Sequence, residues 1–353
     1  MSASGSTSHS PLPPAATEEL GDRLIGAGRC AFVTGGPRDY LPGMSCVAKR
    51  LDRLRSRYPV LTMVEEEDAD YMRAHAHRHG HRDSMVLPWR RFPVSASKEI
   101  GLRTGRVMDK INLLGLPARR LVWIDADMYV RRNIDELCEL PDDIDLAAAF
   151  NRGGAEPPSY LWPDRHHNGR YKACLAKFDR RQDLGNYTYL RPAQLTPDCP
   201  WIFNTGCAVL TPLSARAFNA ELVRPMLNAS IDTYDGSDQG ILNTLLWGAR
   251  RLWGARYAIL HPRYNVIGSQ AAHAARGGLE AALVHHTGHS GRPWLRNVTR
   301  ARASGTPMPP RAEEWHEGCG EFWSKELYER AAAAEGGAAA QDVAQATSAA
   351  PAS

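Results

Sequence analysis

Short apolar runs alternate with longer amphipathic segments through the first half of this chain, and this order limits the folds that it can adopt. Residues 30–34 and 60–64 have the length and apolar content of buried strands. Residues 44–58 between them have the apolar spacing of a helix, and an acidic, helix-like segment follows residue 64. This order of strand, helix, strand and helix is typical of a parallel sheet covered by helices. The sequence therefore predicts an α/β fold.

Further elements are predicted downstream. The strand candidates are residues 121–124, 146–150, 202–210 and 282–285, and residues 238–247 begin a helix. These elements extend the predicted sheet and add to its helical cover.

One large domain accounts for most of the chain. With 353 residues, of which 43% are hydrophobic, the chain can bury a sizeable core. We assign residues 28–330 to this domain. Residues 1–27 and 331–353 are predicted to be disordered tails, because neither has the apolar periodicity needed to offset its chain entropy. Residues 151–200 are too long for an ordinary loop, which predicts an insertion that shapes a substrate cleft.

The charge balance favours a small-molecule site. The formal net charge of +4, from 43 basic and 39 acidic residues, is too small to argue for binding to nucleic acid or to a membrane surface. No stretch is long and apolar enough to cross a bilayer, and the start of the chain lacks the apolar core of a signal peptide. We therefore expect a soluble, cytoplasmic protein with no nucleic-acid partner and no transmembrane segment.

Cysteine usage fits this expectation. The seven cysteines include no Cys-x-x-Cys pair, which predicts neither a zinc ribbon nor a disulfide framework, and their odd number favours a reducing compartment. Asn186, Asn228 and Asn297 begin triplets that fit the N-glycosylation pattern. Because no export signal accompanies them, we interpret these triplets as chance matches.

Three Asp-x-Asp triplets occur, and their surroundings distinguish them. Asp68 and Asp70 continue an acidic run that we interpret as a solvated helix start, where carboxylates suit the helix dipole. Asp143 and Asp145 follow a proline and have the composition of a turn. Neither of these pairs is a promising ligand site.

The remaining pair, Asp125 and Asp127, interrupts an otherwise apolar segment at residues 121–130. A carboxylate that emerges from such a segment is costly unless a positive group meets it. Residues two apart in extended chain point the same way, so both carboxylates can face one cation at the carboxyl end of a strand. The alternative is that the strand has ended and the aspartates cap the next helix, and this segment alone leaves both interpretations open.

A glycine-rich loop at residues 285–294 joins imidazole, cationic and aromatic side chains. His285 could complete a ligand set with the two aspartates, and such a mixed set suits Mn²⁺ better than Ca²⁺, with Mg²⁺ as a further candidate. Arg292 could make a forked contact with a phosphate. The alternative for His285 is an ordinary hydrogen-bonded histidine at the end of a strand.

Other polar residues are also candidates. Asn204 interrupts an apolar run, and Asp238 and Gln239 precede a helix-like segment, so their side chains could bind ligand hydroxyls. Turn or N-cap chemistry is the alternative for each of them. The histidine tract at residues 75–81 lies in a strongly charged segment, which favours a solvated face or loop over a metal site.

In order and spacing, these pieces resemble the family-8 retaining glycosyltransferases, which include glycogenin, galactinol synthase and bacterial lipopolysaccharide galactosyltransferases. The similarity runs from about residue 31 to residue 294. Its elements are residues 32–34 with 39–43, Lys110, residues 123–127, residues 203–206, residues 237–243 and the loop that begins at His285. The resemblance implies a GT-A type, Rossmann-like fold, with a mixed central sheet flanked by helices.

The resemblance also implies a reaction. The enzyme would be a hexosyltransferase that moves a sugar from a UDP-sugar to an acceptor hydroxyl, with retention of configuration and with Mn²⁺ or Mg²⁺. The acceptor class is open, residues 151–200 would shape its cleft, and a homodimer is compatible with these features. By the same resemblance, the metal ligands would be Asp125, Asp127 and His285, and the uracil would be bound by Thr34 and Tyr40. The donor would be contacted by Lys110, Asp125 and Ala126, and its diphosphate by Gly288 and Arg292. The reaction face would consist of Asn204, Asp238 and Gln239.

Two other functions remain open at this stage. A sugar-nucleotide pyrophosphorylase would also use acidic metal ligands on an α/β sheet, but residues 34–38 are a poor version of the glycine-rich, basic loop expected of it. A non-catalytic sugar-nucleotide binding protein on the same scaffold is the second alternative, because fold does not fix function. The combination of His285, Asp238 and Gln239 with the acidic pair favours an enzyme.

Overall fold

The structure is a computed structural model. It describes residues 9–14, 30–79, 84–93, 105–150, 187–190, 203–228, 257–267 and 278–286, with the separate positions 17, 18, 20, 24, 239, 242, 275, 276, 294, 315 and 317–319. The predicted tail at 331–353, most of the predicted insertion at 151–200 and most of the predicted helix at 238–247 lie outside the described residues.

The described residues form two sheets. Their strands are β1 (Cys30–Gly35), β2 (Val60–Val64), β3 (Ser84–Pro88), β4 (Arg120–Ile124), β5 (Met128–Val130), β6 (Leu146–Phe150), β7 (Tyr187–Leu190), β8 (Phe203–Leu210), β9 (Tyr257–Leu260), β10 (Val266–Ile267) and β11 (Leu283–His285). Eight strands form the central sheet in the order β3-β2-β1-β4-β8-β6-β9-β7, and the others form a small sheet in the order β10-β11-β5.

Two regular α-helices connect the first strands. Helix α1 (Leu41–Arg53) joins β1 to β2, and helix α2 (Ala69–Arg78) joins β2 to β3. The other described helices are 3-10 helices at Arg38–Tyr40, Glu66–Asp68, Gly105–Gly115, Asp135–Leu137 and Pro262–Tyr264, and a segment with α-helical ends, Ala215–Phe218 and Arg224–Leu227, around a π-helical turn at Asn219–Val223. Within the described part of the chain, no helix combines the length and the apolar character that a bilayer crossing requires.

The central sheet is mixed, and this confirms the predicted fold class. Strands β3, β2, β1 and β4 are parallel, whereas β8 is antiparallel to both β4 and β6. Every residue of β1, β2 and β4 is buried. Strands that are covered on both faces read as continuous apolar runs, which is why the sequence locates them so closely.

Alternate side chains of the central strands enter two separate core layers. Val33 of β1 and Trp123 of β4 belong to the layer on one face of the sheet. Phe32 and Val122, which are their neighbours in sequence, belong to the layer on the other face. The period of two in an extended chain produces this division, so each strand holds both layers together.

The switch in strand order lies between β1 and β4. From β1 the chain crosses through α1 to β2 on one side, while β4 lies on the other side of β1. Crevices at such a point bind ligands in open α/β sheets. The start of α1 packs closely on the turn that follows β4: Gly43 lies so near Ala126 that any side chain at position 43 would overlap the Ala126 carbonyl group. The carboxyl ends of β1 and β4 therefore face one shared crevice.

The small sheet brings a distant segment to the same place. Strand β11 is antiparallel to β5, with Leu283 opposite Val130 and His285 opposite Met128. Because β5 follows β4 after a turn of three residues, this pairing fixes the end of β11 beside that turn.

Several described positions near the start of the chain pack in the core. Leu12, Leu20 and Leu24 are buried in the same layer as Val33. The backbone N–H of His9 donates to Oδ1 of Asn219 over 2.7 Å. The apolar residues are sparse in a segment rich in Ser, Pro and Ala, and composition therefore conceals their contribution to the core.

Two polar segments are less exposed than predicted. Asp68 is fully buried and accepts from Nε of Arg38, which lies 2.9 Å from both carboxylate oxygens, so the buried charge is paired. His75 of the histidine tract is buried within α2, and its Nε2 lies 2.9 Å from Oγ of Ser45. Other members of these segments have the predicted solvent exposure, including Asp70, of whose side chain 99% is accessible.

Two disulfides join cysteines that are far apart in sequence, so the prediction of no disulfide framework is wrong. Cys30 is bonded to Cys138 and Cys46 is bonded to Cys319, with sequence separations of 108 and 273 residues. The fold brings these partners together, and no local spacing reports them. Cysteine usage therefore no longer supports a reducing compartment, because disulfides persist where the environment is oxidising.

The four cysteines of the two disulfides should not react with an alkylating agent unless the protein is first reduced. In denatured, unreduced protein, peptide mass spectrometry should find Cys207 alkylated, since it is free, and Cys30, Cys138, Cys46 and Cys319 unmodified. The double change Cys46→Ser with Cys319→Ser should lower the free energy of unfolding by about 2–4 kcal/mol, because the cross-link restricts the unfolded chain. Alkylation of Cys46 and Cys319 without a reductant would contradict the second bond.

Candidate active site

The acidic pair lies in the turn between β4 and β5. The backbone N–H of Asp125 donates to the carbonyl oxygen of Gly206 over 2.7 Å, and the N–H of Met128 donates to the carbonyl oxygen of Asp125 over 3.0 Å. Strand β5 begins at Met128, so no helix follows the pair. The interpretation of Asp125 and Asp127 as helix caps is therefore excluded.

His285 lies beside both aspartates. Its Nε2 is 3.2 Å from Oδ1 of Asp127 and 3.8 Å from Oδ2 of Asp125. A potential ligand atom from each of the three residues lies within 4.8 Å of the other two. The backbone contributes to this arrangement, because the N–H of His286 donates to the carbonyl oxygen of Asp127 over 2.9 Å. The structure thus brings together the three residues predicted to bind a metal, from two distant segments of the chain.

This cluster concentrates negative charge in a place with little solvent. Asp127 and His285 are buried, and Asp125 is partly exposed. Burial disfavours the charged form of His285, but the carboxylates of Asp127 and Asp125 outweigh burial and raise the pKa of the imidazole above its ordinary value. The site therefore favours positive charge at this position, whether it is carried by a proton or by a cation.

The two oxygens of Asp125 have different surroundings. Oδ1 accepts from Nε1 of Trp123 over 2.5 Å and lies 2.8 Å from Nζ of Lys110, whereas Oδ2 is the oxygen nearer to His285. Lys110 also donates to the carbonyl oxygen of Thr205 over 3.2 Å, and its Nζ lies 4.9 Å from the centre of the Trp123 ring. These contacts hold Asp125 so that one oxygen remains directed at the cluster, and they place Lys110 beside it.

Asn204 and Gln239 approach the cluster from the side of β8. Oδ1 of Asn204 accepts from the backbone N–H of Gly206 over 2.8 Å. Oε1 of Gln239 accepts from the backbone N–H of Thr205 over 3.2 Å. Two of the three predicted residues of the reaction face therefore contact the segment that also receives hydrogen bonds from Asp125 and Lys110.

The sequence did not indicate Asn265, which joins the two sides of the site. Its Nδ2 donates to Oδ1 of Asn204 over 2.7 Å, and its Oδ1 lies 2.8 Å from Nδ1 of His285. Asn265 follows a short 3-10 helix at Pro262–Tyr264, where asparagine is an ordinary turn residue, so local pattern gives no signal of a contact with His285.

The two residues predicted to hold the base lie at the carboxyl end of β1. Thr34 is fully buried, and its Oγ1 has no hydrogen-bond partner among the described residues. Tyr40 is half-buried in the 3-10 helix that follows β1, and it packs against a core cluster that contains Ala126. Its ring meets the ring of Trp294 edge to face at 6.0 Å, and Nε1 of Trp294 donates to the carbonyl oxygen of Asp39 over 3.0 Å.

Three predicted site residues lie outside the described part of the chain. They are Asp238, Gly288 and Arg292. Among the described residues, the Asp125, Asp127 and His285 cluster is the one group of His, Cys, Asp and Glu side chains that could hold a metal ion. Neither of the other Asp-x-Asp triplets belongs to such a group.

Known proteins resemble this chain in sequence and in fold. Residues 33–298 match the model of Glycosyl transferase family 8. Galactinol synthase 1 of Solanum lycopersicum is 31% identical over 125 residues, which are 34% of this chain and 39% of that relative, so the match spans well under half the length of the curated relative.

Solved structures of the galactosyltransferase LgtC share the fold. The complex with donor and acceptor sugar analogues has a TM-score of 0.51 at 16% identity, and an active-site mutant has a TM-score of 0.52 at 15% identity. Each match covers 85% of this chain and 99% of the LgtC chain. At this identity the likeness establishes the GT-A fold alone. Because the family match spans most of the chain, this protein belongs to Glycosyl transferase family 8 and is a glycosyltransferase.

Proposed function

We propose that this glycosyltransferase uses a divalent cation to transfer a hexose from a UDP-sugar to an acceptor hydroxyl, with retention of configuration. The observation that carries the proposal is the cluster of Asp125, Asp127 and His285 at the carboxyl edge of the sheet, beside the switch point between β1 and β4. Family membership supplies the reaction class, and the cluster supplies the reason for a diphosphate donor.

The donor set fits a divalent cation. Two carboxylates and one imidazole suit Mn²⁺, and Mg²⁺ is the alternative. Asp127 and His285 are buried, and buried carboxylates require a compensating charge. Lys110 engages Oδ1 of Asp125, so the oxygens nearer to His285 are the ones that a cation would contact. Bound there, the cation would neutralise the charge that builds on the departing diphosphate.

The nucleotide would lie across the end of β1. Thr34 has a buried hydroxyl without a partner among the described residues, so this hydroxyl is available to a ligand. Tyr40 offers a half-buried ring nearby, whose face can stack on a base. We propose that these two residues hold the uracil, that Lys110 and Ala126 border the donor, and that Gly288 and Arg292 contact the diphosphate.

The acceptor would approach from the side of β8. The side chain of Asn204 contacts the backbone of Gly206, and the side chain of Gln239 contacts the backbone of Thr205. Asp238 precedes Gln239 in sequence, so these three residues are the proposed reaction face. Retention follows if Asp238 forms a covalent glycosyl intermediate, or if the acceptor hydroxyl attacks from the face that the diphosphate leaves. In both routes, Asn204 and Gln239 orient hydroxyl groups, and fixed dipoles and charges stabilise the departing group.

Donor turnover tests the proposal directly. Purified protein should release UDP from one of a panel of UDP-hexoses when Mn²⁺ is present and should stop in EDTA. UDP with Mn²⁺ should raise the melting temperature, since a ligand at 100 times its dissociation constant stabilises by about 2.7 kcal/mol. A polyol should be among the acceptors tested, because a matched relative is a galactinol synthase.

The products separate the proposal from its rivals. The donor's α configuration should persist in the product, as measured by NMR. Release of pyrophosphate would indicate a pyrophosphorylase, and stabilisation by UDP-sugar without any turnover would indicate a binding protein. A β-linked product would exclude retention.

Removal of one ligand charge should suppress turnover. Asp127→Asn should lower kcat at least about 100-fold, because metal stabilisation of the transition state is worth several kcal/mol and each 1.4 kcal/mol is about a factor of ten. The matched control is Asp70→Asn, since Asp70 belongs to another Asp-x-Asp triplet and its side chain is 99% exposed. Asp145 is unsuitable as a control because it is buried. Equal losses in the two variants, or full activity in EDTA, would refute the site.

Tyr40 should contribute to nucleotide affinity through its ring. Tyr40→Ala should weaken UDP binding by about 1–3 kcal/mol, the usual value of a stacked base, whereas Tyr40→Phe should be nearly silent. Isothermal titration calorimetry measures both, and the melting temperature of the free protein controls for lost packing against Trp294. Unchanged UDP affinity in Tyr40→Ala would place the base elsewhere.

A further inference from the structure

We propose that Asn265 is a positioning residue that fixes the tautomer of His285 and ties this metal ligand to Asn204. The inference rests on the proposed function, because it assigns a role toward the same metal and reaction face. It is carried by three linked hydrogen bonds: Gly206 N–H donates to Asn204 Oδ1 over 2.8 Å, Asn265 Nδ2 donates to the same oxygen over 2.7 Å, and Nδ1 of His285 lies 2.8 Å from Oδ1 of Asn265.

The backbone N–H of Gly206 determines which group donates and which accepts in all three hydrogen bonds. A backbone N–H can only donate, so the atom of Asn204 that faces it must be the oxygen. That oxygen also faces Asn265, which must therefore present its amide nitrogen to it. The other end of the Asn265 amide is then its oxygen, and this oxygen can only accept. Nδ1 of His285 must donate to it and carries the proton.

The consequence is a histidine prepared for a cation. With the proton on Nδ1, the lone pair of a neutral imidazole lies on Nε2, which is the nitrogen 3.2 Å from Oδ1 of Asp127. The opposite tautomer would aim an N–H at the place where the cation is proposed to bind. Hydrogen-bond partners of this kind orient metal-binding histidines, and their loss typically costs about 10–100-fold in metal affinity.

The local packing leaves little freedom for another arrangement. Asn265 and His285 are buried, with 6% and 4% of their surfaces exposed. The N–H of Asn265 donates to the carbonyl oxygen of Pro262 over 3.0 Å, and β10, which begins at the next residue, pairs with β11. A side chain at Gly206 would overlap the His285 ring, so the ring lies directly on the backbone that sets the hydrogen-bond direction.

Two substitutions separate the two halves of the role. Asn265→Ala removes both the acceptor for His285 and the donor for Asn204. Asn265→Asp keeps an acceptor for Nδ1–H but cannot donate to Asn204, so it should retain the tautomer while disturbing the reaction face. Asn133→Ala is the matched control, because the Asn133 side chain makes comparable hydrogen bonds, to Leu54 and Asp135, away from the cluster.

The tautomer is read from metal-free protein. At a pH high enough to deprotonate the imidazolium, long-range ¹H–¹⁵N NMR of the histidine rings should show neutral His285 with its proton on Nδ1, and His285→Gln identifies the signal by its disappearance. Wild type, Asn265→Asp and Asn133→Ala should share this pattern, whereas Asn265→Ala should shift toward the Nε2-protonated form. A neutral wild-type ring with its proton on Nε2 instead of Nδ1 would overturn the inference, even if no variant folded.

Metal affinity provides the second readout. With saturating UDP, Mn²⁺ titration followed by electron paramagnetic resonance should show an affinity about 10–100-fold weaker in Asn265→Ala. Asn265→Asp should remain within about threefold of wild type and lose kcat instead. If wild type turns over UDP-sugar while Asn265→Ala keeps both tautomer and Mn²⁺ affinity, the inference fails and the proposed function stands. If the tautomer is as expected but wild type neither binds Mn²⁺ nor releases UDP, the proposed function fails and the positioning of the ring stands.

Discussion

Two carboxylates stand at the end of a strand that is buried on both faces, and the rest of the site is arranged around their charge. Without a compensating group, Asp125 and Asp127 would be costly in such a place. Lys110 and the side-chain N–H of Trp123 contact one oxygen of Asp125, and His285 lies beside Asp127. Lys110 lies in the helix that directly precedes β4, whereas His285 comes from a distant segment, so the acidic pair depends on the fold for the imidazole. The divalent cation that we propose would add positive charge beside the same two carboxylates.

Core packing and disulfides outside the crevice stabilise the fold, and this offsets the cost of placing polar groups in the crevice. Alternate residues of the central strands belong to two core layers, so the sheet cannot shift its register without moving both layers. The disulfide from Cys30 holds the start of β1, and the disulfide from Cys46 fixes α1 to a segment near the end of the chain. Gly43 allows α1 to approach the turn after β4 closely. The crevice can therefore collect polar groups while stability is supplied elsewhere.

Local pattern was sufficient for the elements but not for their long-range partners. Residues 60–64 and 146–150 were located to the residue, since buried strands read as unbroken apolar runs. The choice of Asp125 and Asp127 among three identical triplets followed from the apolar segment that they interrupt, and the structure places His285 beside them. In contrast, the buried tail leucines, the partners of the bonded cysteines and the contact of Asn265 with His285 all depend on chain segments that only the fold brings together. Such contacts leave no periodic signal in the sequence.

The polar residues 204–206 interrupt the apolar strand β8, and the hydrogen bonds of their backbone explain this interruption. Pairing between β6 and β8 shifts register over the residues that include 204–206, as at a bulge, and bulges beside active sites redirect side chains. Backbone groups of this segment have several partners outside β6: its carbonyl oxygens accept from Asp125 and Lys110, and its N–H groups donate to Gln239 and to Asn204. Asp125 and Lys110 belong to the proposed donor side, while Asn204 and Gln239 belong to the proposed acceptor side. The irregular segment therefore contacts residues on both proposed sides of the reaction.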